Sequence, residues 1–306
     1  MDEFELIQQF FSRSNADSGV VLGIGDDGAV LRASPGCEQV QVIDTLVADV
    51  HFPGDTHPAD IGFRAVAVNL SDIAAMGAVP RWMTLALTVS EADADWLAAF
   101  AEGLFLAAKP FDLALVGGDT TFGPVTTITI SVTGEVDKGT AILRSGAAPG
   151  DGIFVSGTLG DAAAGLAALQ HGKPIADLTG RFLRPTARVE LGRELVGKAS
   201  AAIDVSDGLA GDLAKLLLAS SVAGEIDLDK LPISKALQAH RQRPDQLKLA
   251  LTGGDDYELC VTGPLDVLSS IEGLTRIGQV SLGEGLRCLR DGKIVDVDDS
   301  GYRHFQ

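Results

Sequence analysis

The sequence has little that would bind nucleic acid or an anionic membrane. Its 24 lysines and arginines are outnumbered by 42 aspartates and glutamates, which gives a formal net charge of −18. A face that binds nucleic acid is basic, and segments that adhere to anionic lipid are usually basic as well. The charge balance therefore argues against both kinds of partner.

Other features that the sequence lacks indicate the cellular compartment in which the protein is expected. Only three cysteines occur (Cys37, Cys260 and Cys288), and none forms a C-x-x-C pair. A sparse, odd set of cysteines is typical of a reducing environment. The first residues lack the basic and apolar regions of a signal peptide, and no apolar run is long enough to span a bilayer. We expect a soluble, cytoplasmic protein.

Several common catalytic motifs are also missing. The chain has no P-loop, no G-x-S-x-G, no H-E-x-x-H and no kinase H-R-D set. The segment GIGDDG (23–28) formally matches a dinucleotide-binding pattern, but residues 29–31 read as a strand rather than the helix that such a site requires. The five histidines are too isolated to suggest zinc. A Rossmann dinucleotide site is therefore not predicted.

The features that are present predict a two-domain α/β (α+β) protein. Hydrophobic residues make up 46% of the chain, which is enough for a buried core, and 36 glycines predict many tight turns. Strand and helix patterns alternate in both halves. A stretch rich in Gly, Pro and small residues, RSGAAPGDG (144–152), predicts the boundary between domains 1–148 and 149–306.

Aspartates recur where predicted strands or helices end. If several converge, each pair at about 4 Å repels by roughly 4 kcal/mol at an effective dielectric near 20, so cations must neutralise them. Carboxylate oxygens select Mg²⁺ or Ca²⁺ rather than zinc, and Mg²⁺ commonly brings phosphates with it. Any single Asp is equally compatible with a turn or N-cap role. These aspartates are Asp26, Asp27, Asp44, Asp72, Asp119, Asp204, Asp207, Asp255 and Asp256.

Seven short segments occur along the chain, and their joint order identifies a protein family far more specifically than any one segment does. They are GIGDDGAVL (23–31), DTLVADVHF (44–52), AVNLSDIAAMGA (67–78), LVGGDTT (115–121), LRSGAAPGD (143–151), AIDVSDGL (202–209) and GGDDYELC (253–260). Together they resemble the thiamine-monophosphate kinases, of the aminoimidazole-ribonucleotide-synthetase-like superfamily. The resemblance covers essentially the whole chain.

This resemblance implies a PurM-like architecture in which each domain is a mixed β-sheet packed with helices. It also implies transfer of the ATP γ-phosphoryl group to thiamine monophosphate, several Mg²⁺ ions, and a homodimer built through strands of the N-terminal domain. The implied metal ligands are Asp27, Asp44, Asp72, Asp119, Asp204 and Asp207. The implied ATP contacts are Gly118, Asp119, Arg144 and Ser206, and the implied substrate contacts are His51, Asp255 and Tyr302.

The chemistry of that reaction agrees with the composition of the motifs. The nucleophile would be a phosphate oxygen that is already anionic, so no general base is required. The difficulty is to bring two anions together, which metal ions and a fixed positive charge such as Arg144 would overcome. On this hypothesis catalysis is metal-assisted in-line transfer with no catalytic base.

Two departures from the family pattern are visible. Val42 and Ile43 precede Asp44, where the family commonly has hydroxyl residues. Asp255 stands where Glu is common, which shortens its reach toward substrate by about one methylene. Two other hypotheses stay open: a related ATP-using synthetase with a different small acceptor, and a non-catalytic protein that binds divalent cations or a ligand.

Overall fold

A computed structural model describes residues 3–12 and 19–297. The chain divides into two compact units. The first runs to Ile73 and resumes over Ala78–Gly139, and the second holds Ala74–Gly77 and continues from Thr140. The sequence-based boundary at 148/149 stays a prediction. None of the helices described between residues 3 and 297 combines the length and apolar character needed to cross a bilayer.

The first unit contains mainly strands, with two long helices. In chain order its elements are α1 (Glu3–Leu6), a π-helical turn (Ile7–Phe11), β1 (Val20–Leu22), β2 (Val30–Leu31), β3 (Cys37–Val47), α2 (Pro58–Ala75), β4 (Val79–Val89), α3 (Ala94–Ala108), a 3₁₀ turn (Lys109–Phe111), β5 (Ala114–Phe122) and β6 (Thr127–Asp137).

Four of these strands form a sheet in the order β3-β6-β4-β5. Strands β3, β6 and β4 pair antiparallel, whereas β5 runs parallel to β4. A parallel neighbour needs a crossover connection, which α3 supplies. Gly62 of α2 approaches α3 so closely that a Cβ there would lie 2.1 Å from the carbonyl oxygen of Phe100. The glycine is therefore required for the packing of these two helices.

The two faces of this sheet differ in polarity because side chains alternate along each strand. Leu85 of β4 and Ile130 of β6 lie opposite each other on the buried face. On the other face Thr45 and Thr129 share a hydrogen bond of 2.8 Å between their hydroxyl groups. That second face is rich in threonine and exposed within the first unit.

The second unit is built on a larger mixed sheet. Its elements are β7 (Gly152–Ser156), α4 (Asp161–Gln170), α5 (Ala176–Leu183), α6 (Val189–Leu195), β8 (Ala201–Val205), α7 (Leu209–Ser220), β9 (Ala223–Asp227), a 3₁₀ turn (Leu228–Lys230), α8 (Lys235–His240), α9 (Arg243–Thr252), β10 (Glu258–Gly263), α10 (Leu265–Leu268), β11 (Leu274–Ser281), β12 (Gly285–Arg290) and β13 (Lys293–Val295).

The seven strands of this sheet follow the order β13-β12-β9-β11-β7-β10-β8. Strand β10 pairs antiparallel with both β7 and β8. The C-terminal ends of β7 and β8 and the N-terminal end of β10 therefore meet at one edge of the sheet. Apolar residues of α7 and α9, including Leu213 and Leu251, pack with those of β8 in a buried core. The mixed α/β class with two units matches the fold expected from the sequence.

Candidate functional site

The GIGDDG segment forms the turn between β1 and β2, and the chain continues as a strand rather than a helix. Val20 and Ala29, on either side of the turn, pack against Trp82. Asp27 is exposed at the turn, and its N–H donates to the Asp26 carboxylate at 2.9 Å. The geometry confirms that this segment is not a Rossmann turn, and it leaves a carboxylate accessible to a ligand.

Asp44 and Asp119 lie within strands, which corrects the prediction that they follow strand ends. Asp44 is half-buried in β3 opposite Ile130, and Asp119 is exposed in β5 opposite Ala86. The prediction was wrong because backbone pairing extends both strands beyond their apolar residues. Strand β3, for example, pairs with β6 over all 11 of its residues.

The register keeps these two carboxylates apart. Strands β3 and β5 are the outer strands of the sheet, and three spacings of about 4.8 Å separate them by roughly 14 Å. The two carboxylates also lie on opposite faces of the sheet. Asp44 is on the same face as the buried Ile130. Asp119 is on the other face, with Thr121, whose hydroxyl lies 2.9 Å from that of Thr88. Within this sheet Asp44 and Asp119 cannot coordinate the same ion.

Two further residues that were predicted at the site lie in the first unit: His51 is in the turn that follows β3, and Asp72 is on α2. The Val47 N–H donates to His51 Nδ1 at 3.0 Å, and the His51 N–H donates to the Val47 carbonyl at 2.9 Å. Because Nδ1 accepts, a neutral His51 ring carries its hydrogen on Nε2. Asp72 lies in the last turn of α2 and is half-exposed.

In the second unit, the turn after β8 is built around Asp212 of α7. The N–H groups of Ser206 and Asp207 both donate to Asp212 Oδ2 at 2.9 Å. Lys215 Nζ donates to Asp212 Oδ1 at 2.9 Å and to Asp207 Oδ2 at 2.5 Å. Burial raises the pKa of Asp212, and its hydrogen bond with Lys215 opposes that shift. The turn therefore presents Ser206 and Asp207 on a fixed backbone.

The loop 253–257 brings Asp255 next to this turn. Asp255 and Tyr257 have φ values of 63° and 51°, in the left-handed region. That conformation costs a residue with a side chain roughly 1–2 kcal/mol. The Asp255 N–H donates to the Ser206 carbonyl at 2.8 Å, and the Tyr257 N–H donates to the Val205 carbonyl at 2.9 Å. Local strain held by such bonds is a feature of functional sites.

Sequence reasoning missed Glu258, which anchors this loop. Its side chain is 0% exposed and accepts hydrogen bonds from Arg181 and Arg188, each at 2.6 Å, and from the Ser156 hydroxyl at 2.5 Å. The bond to Glu258 raises the pKa of Arg188. The sequence did contain a signal for Glu258, which is a glutamate inside the apolar strand ELCV. Since a buried glutamate needs a cationic partner, this position predicts an ion pair.

Asp256 is the second buried anchor, which the sequence indicated only as part of an acidic turn. It accepts the N–H of Gly160 at 2.7 Å, at the start of α4. Burial raises the pKa of Asp256 well above its ordinary value, and this hydrogen bond opposes the shift. Asp256 therefore points into the protein while its neighbour Asp255 stays half-exposed.

Arg144 lies exposed on a loop that Ser220 fixes. The Ser220 hydroxyl donates to the Arg144 carbonyl at 3.0 Å and accepts the N–H groups of Gly146 and Ala147 at 3.1 Å. The Ala202 N–H of β8 donates to the preceding Leu143 carbonyl at 3.0 Å. The loop therefore runs alongside β8, the strand that carries the buried Asp204 and leads to Ser206.

The second unit thus brings Ser206, Asp207 and Asp255 together, whereas the first unit holds Asp44 and Asp119 apart. Over residues 3–12 and 19–297, no three His, Cys, Asp or Glu side chains form a group that could hold a metal ion. Tyr302 lies outside the described residues, and its contact with substrate stays a prediction.

Two family models match this chain. The N-terminal domain of AIR synthase related protein matches residues 25–136, and the C-terminal domain matches residues 148–288. The thiamine-monophosphate kinase of Salmonella typhimurium strain LT2 is 46% identical over 319 residues, which cover 99% of this chain and 98% of that protein. The chain belongs to the thiamine-monophosphate kinase family.

Solved structures of thiamine-monophosphate kinases have the same fold. That of the Stenotrophomonas maltophilia K279a enzyme has a TM-score of 0.89 and 44% identity, covering 96% of this chain and 98% of that one. AaThiL complexed with AMPPCP and TMP has a TM-score of 0.81 and 34% identity, covering 92% of each chain. The chain is therefore an enzyme of the ATP-dependent phosphotransferase class, with the two-domain mixed α/β fold that its motifs predicted.

Proposed function

We propose that this chain transfers the γ-phosphoryl group of ATP to thiamine monophosphate, in a magnesium-dependent reaction that yields thiamine diphosphate and ADP. One observation carries the proposal: the chain is 46% identical to a thiamine-monophosphate kinase over nearly the full length of both. The AMPPCP and TMP bound to AaThiL support the choice of both substrates.

The chemistry of the proposed ligands suits magnesium, although within either unit the described residues bring no three of them together. Their donors are carboxylate oxygens, which hard divalent cations prefer. In the second unit the Lys215 ammonium lies between the carboxylates of Asp207 and Asp212, so this turn accommodates a positive charge. The residues that would hold the ions are Asp27, Asp44, Asp72, Asp119, Asp204 and Asp207. Bound Mg²⁺ would neutralise the negative charge of the ATP phosphates.

The chain's own residues would bind and orient the two anions. Gly118, Asp119, Arg144 and Ser206 are proposed to contact ATP. The exposed Arg144 guanidinium supplies fixed positive charge, and its loop is held by Ser220. The fixed turn that presents Ser206 would reduce the entropy lost when ATP binds.

The acceptor is proposed to contact His51, Asp255 and Tyr302. With Nδ1 engaged by the Val47 N–H, His51 can donate a hydrogen bond from Nε2. The attacking phosphate oxygen is already anionic, so His51 has no proton to remove. We therefore assign His51 to binding and alignment of the acceptor rather than to general base catalysis.

A homodimer formed through the first unit is part of the proposal. Asp44 and Asp119 lie on the two outer strands of one sheet, on opposite faces. If both act at one site, a second copy has to supply one of them. The threonine-rich face of the sheet also carries the 65% exposed Ile43, which a partner chain could cover.

A coupled assay tests the reaction. We expect ATP-dependent formation of thiamine diphosphate from thiamine monophosphate, and none from unphosphorylated thiamine. Turnover of ATP with a different phosphate or amine acceptor would instead support a related synthetase. Binding of divalent cations without any transfer would support a non-catalytic protein.

A further inference from the structure

Lys215 of α7 contacts two carboxylates with different surroundings. Its ammonium lies 2.5 Å from Asp207 Oδ2 and 2.9 Å from Asp212 Oδ1. The Asp212 side chain is only 2% exposed, whereas that of Asp207 is 30% exposed. Lys215 therefore bridges a buried carboxylate and an accessible one.

The buried carboxylate organises the backbone of the turn. Asp212 Oδ2 accepts the N–H groups of both Ser206 and Asp207, so its negative charge lies close to that of Asp207. Without a cation the two carboxylates would repel each other across a partly buried turn. Lys215 supplies that cation from within the chain.

We infer that Lys215 neutralises Asp207 while no metal is bound and releases it when a divalent cation arrives. The inference rests on the proposed function, in which Asp207 is a magnesium ligand. Lys215 keeps its bond to Asp212 in both states, and the Ser206–Asp207 turn remains formed. The consequence is that Lys215 weakens magnesium binding at Asp207 and stabilises the metal-free protein. Lys215 is thus a positioning residue, since it acts through Asp207.

An ordinary exposed ion pair between residues four apart does not have this arrangement. Lys198 and Glu194 are four residues apart, contact each other at 3.2 Å, and are 42% and 50% exposed. Lys215 makes the comparable pair with Asp212, three residues away, but also reaches Asp207 outside the helix. The second contact falls on the residue that is proposed to bind metal.

The test is a magnesium titration of the purified full-length protein without ATP or thiamine monophosphate. Thermal unfolding and calorimetry are followed for the wild type and Lys215→Met. We expect the metal-free variant to melt several degrees lower, because Asp212 stays buried without its cation. We expect half-saturation at about two- to fivefold less Mg²⁺, the range that a partly exposed ion pair provides.

Three further variants make the result specific. Lys215→Arg keeps the charge and should retain the wild-type magnesium response. Lys198→Met removes an exposed ion pair and should leave that response unchanged. In an Asp207→Asn background Lys215→Met should no longer alter it, because the two residues would no longer be coupled.

Two results would overturn the inference. If Lys215→Met lowers the metal-free melting temperature but leaves magnesium affinity unchanged, Lys215 is only a structural ion pair. If the wild type shows no magnesium response that depends on Asp207, the metal assignment of Asp207 is wrong and the inference falls with it. The phosphotransfer assay is separate, so a failure here leaves the proposed reaction to be judged independently.

Discussion

The two units handle negative charge in different ways. In the second unit the carboxylates near the Ser206 turn come with internal cations, since Lys215 contacts Asp207 and Asp212. In the first unit Asp27 and Asp119 are exposed, one on a turn and one on an outer strand. An exposed carboxylate is accessible to an external cation. If the proposed magnesium ligands are correct, we expect the first unit to depend on added metal more than the second does.

Removal of metal should have the largest effect. We expect EDTA to abolish turnover and excess Mg²⁺ to restore it, because the β- and γ-phosphates would otherwise lie against uncompensated carboxylates. The melting temperature should fall only modestly, since the second unit retains its internal ion pairs. Activity assays and thermal unfolding in chelator measure both. Full turnover in EDTA would contradict the magnesium proposal.

Asp44→Asn and Asp119→Asn should each lower kcat by about 100-fold or more, a loss of the size seen when one electrostatic contact to a transition state is removed. For the exposed Asp119, stability should change by less than about 0.5 kcal/mol, as for most surface substitutions. The control is Asp95→Asn on α3, at another exposed aspartate of this unit, which should leave kcat unchanged.

Mixing these two inactive variants tests the proposed dimer. If Asp44 of one chain acts with Asp119 of its partner, a mixed dimer contains one intact site, and activity should reappear after subunit exchange. Sedimentation of the wild type measures the oligomeric state separately. A dimer that regains no activity on mixing would place both residues of a site in one chain, or one of them outside it.

Glu258→Gln should reduce stability more than any first-unit variant above. Loss of its charge leaves Arg181 and Arg188 partly buried without their counterion, which costs about 3 kcal/mol when a buried pair is broken. The control is Glu225→Gln, whose exposed side chain contacts Arg287 at 3.9 Å and should matter little. Equal melting temperatures for the two variants would contradict the expectation that a buried ion pair contributes more to stability than an exposed one.

Sequence predicted the fold well where apolar patterns are local. Helix α4 begins at Asp161 directly after a glycine, and strand β8 spans Ala201–Val205; short-range periodicity defines both elements. It misplaced Asp44 and Asp119 because pairing with a distant strand extended β3 and β5. Long-range ladder partners are not encoded in the residues next to them.

The sequence motifs predicted which residues belong to the site, but not the contacts that hold those residues in place. Ser206 and Asp207 belong to the segment AIDVSDGL and Asp255 belongs to GGDDYELC. The structure brings these three residues together through contacts that the sequence does not reveal. Asp212, Lys215 and Ser220 lie on α7, and no sequence motif distinguishes them. Their roles arise from backbone N–H and carbonyl groups of the neighbouring turns, which a linear pattern does not describe.

Substitution of His51 should have the smallest effect on activity among these variants. It tests the first unit without removing one of its carboxylates. His51→Ala should raise KM for thiamine monophosphate about tenfold, the value of one hydrogen bond to a charged group, and leave KM for ATP nearly unchanged. His51→Gln keeps a side-chain donor and should recover part of the loss. Steady-state kinetics with each substrate varied in turn measure the effect.

The outcomes separate three roles for this imidazole. In the wild type His51 Nδ1 accepts the Val47 N–H, so a neutral ring has its donor at Nε2, which a glutamine side-chain amide can imitate. A change in KM for ATP alone would move His51 to the nucleotide. Complete loss of turnover in both variants, with the fold intact by circular dichroism, would indicate proton transfer. Since the attacking phosphate oxygen carries no proton at neutral pH, we expect partial rescue by glutamine and a kcat that changes less than KM.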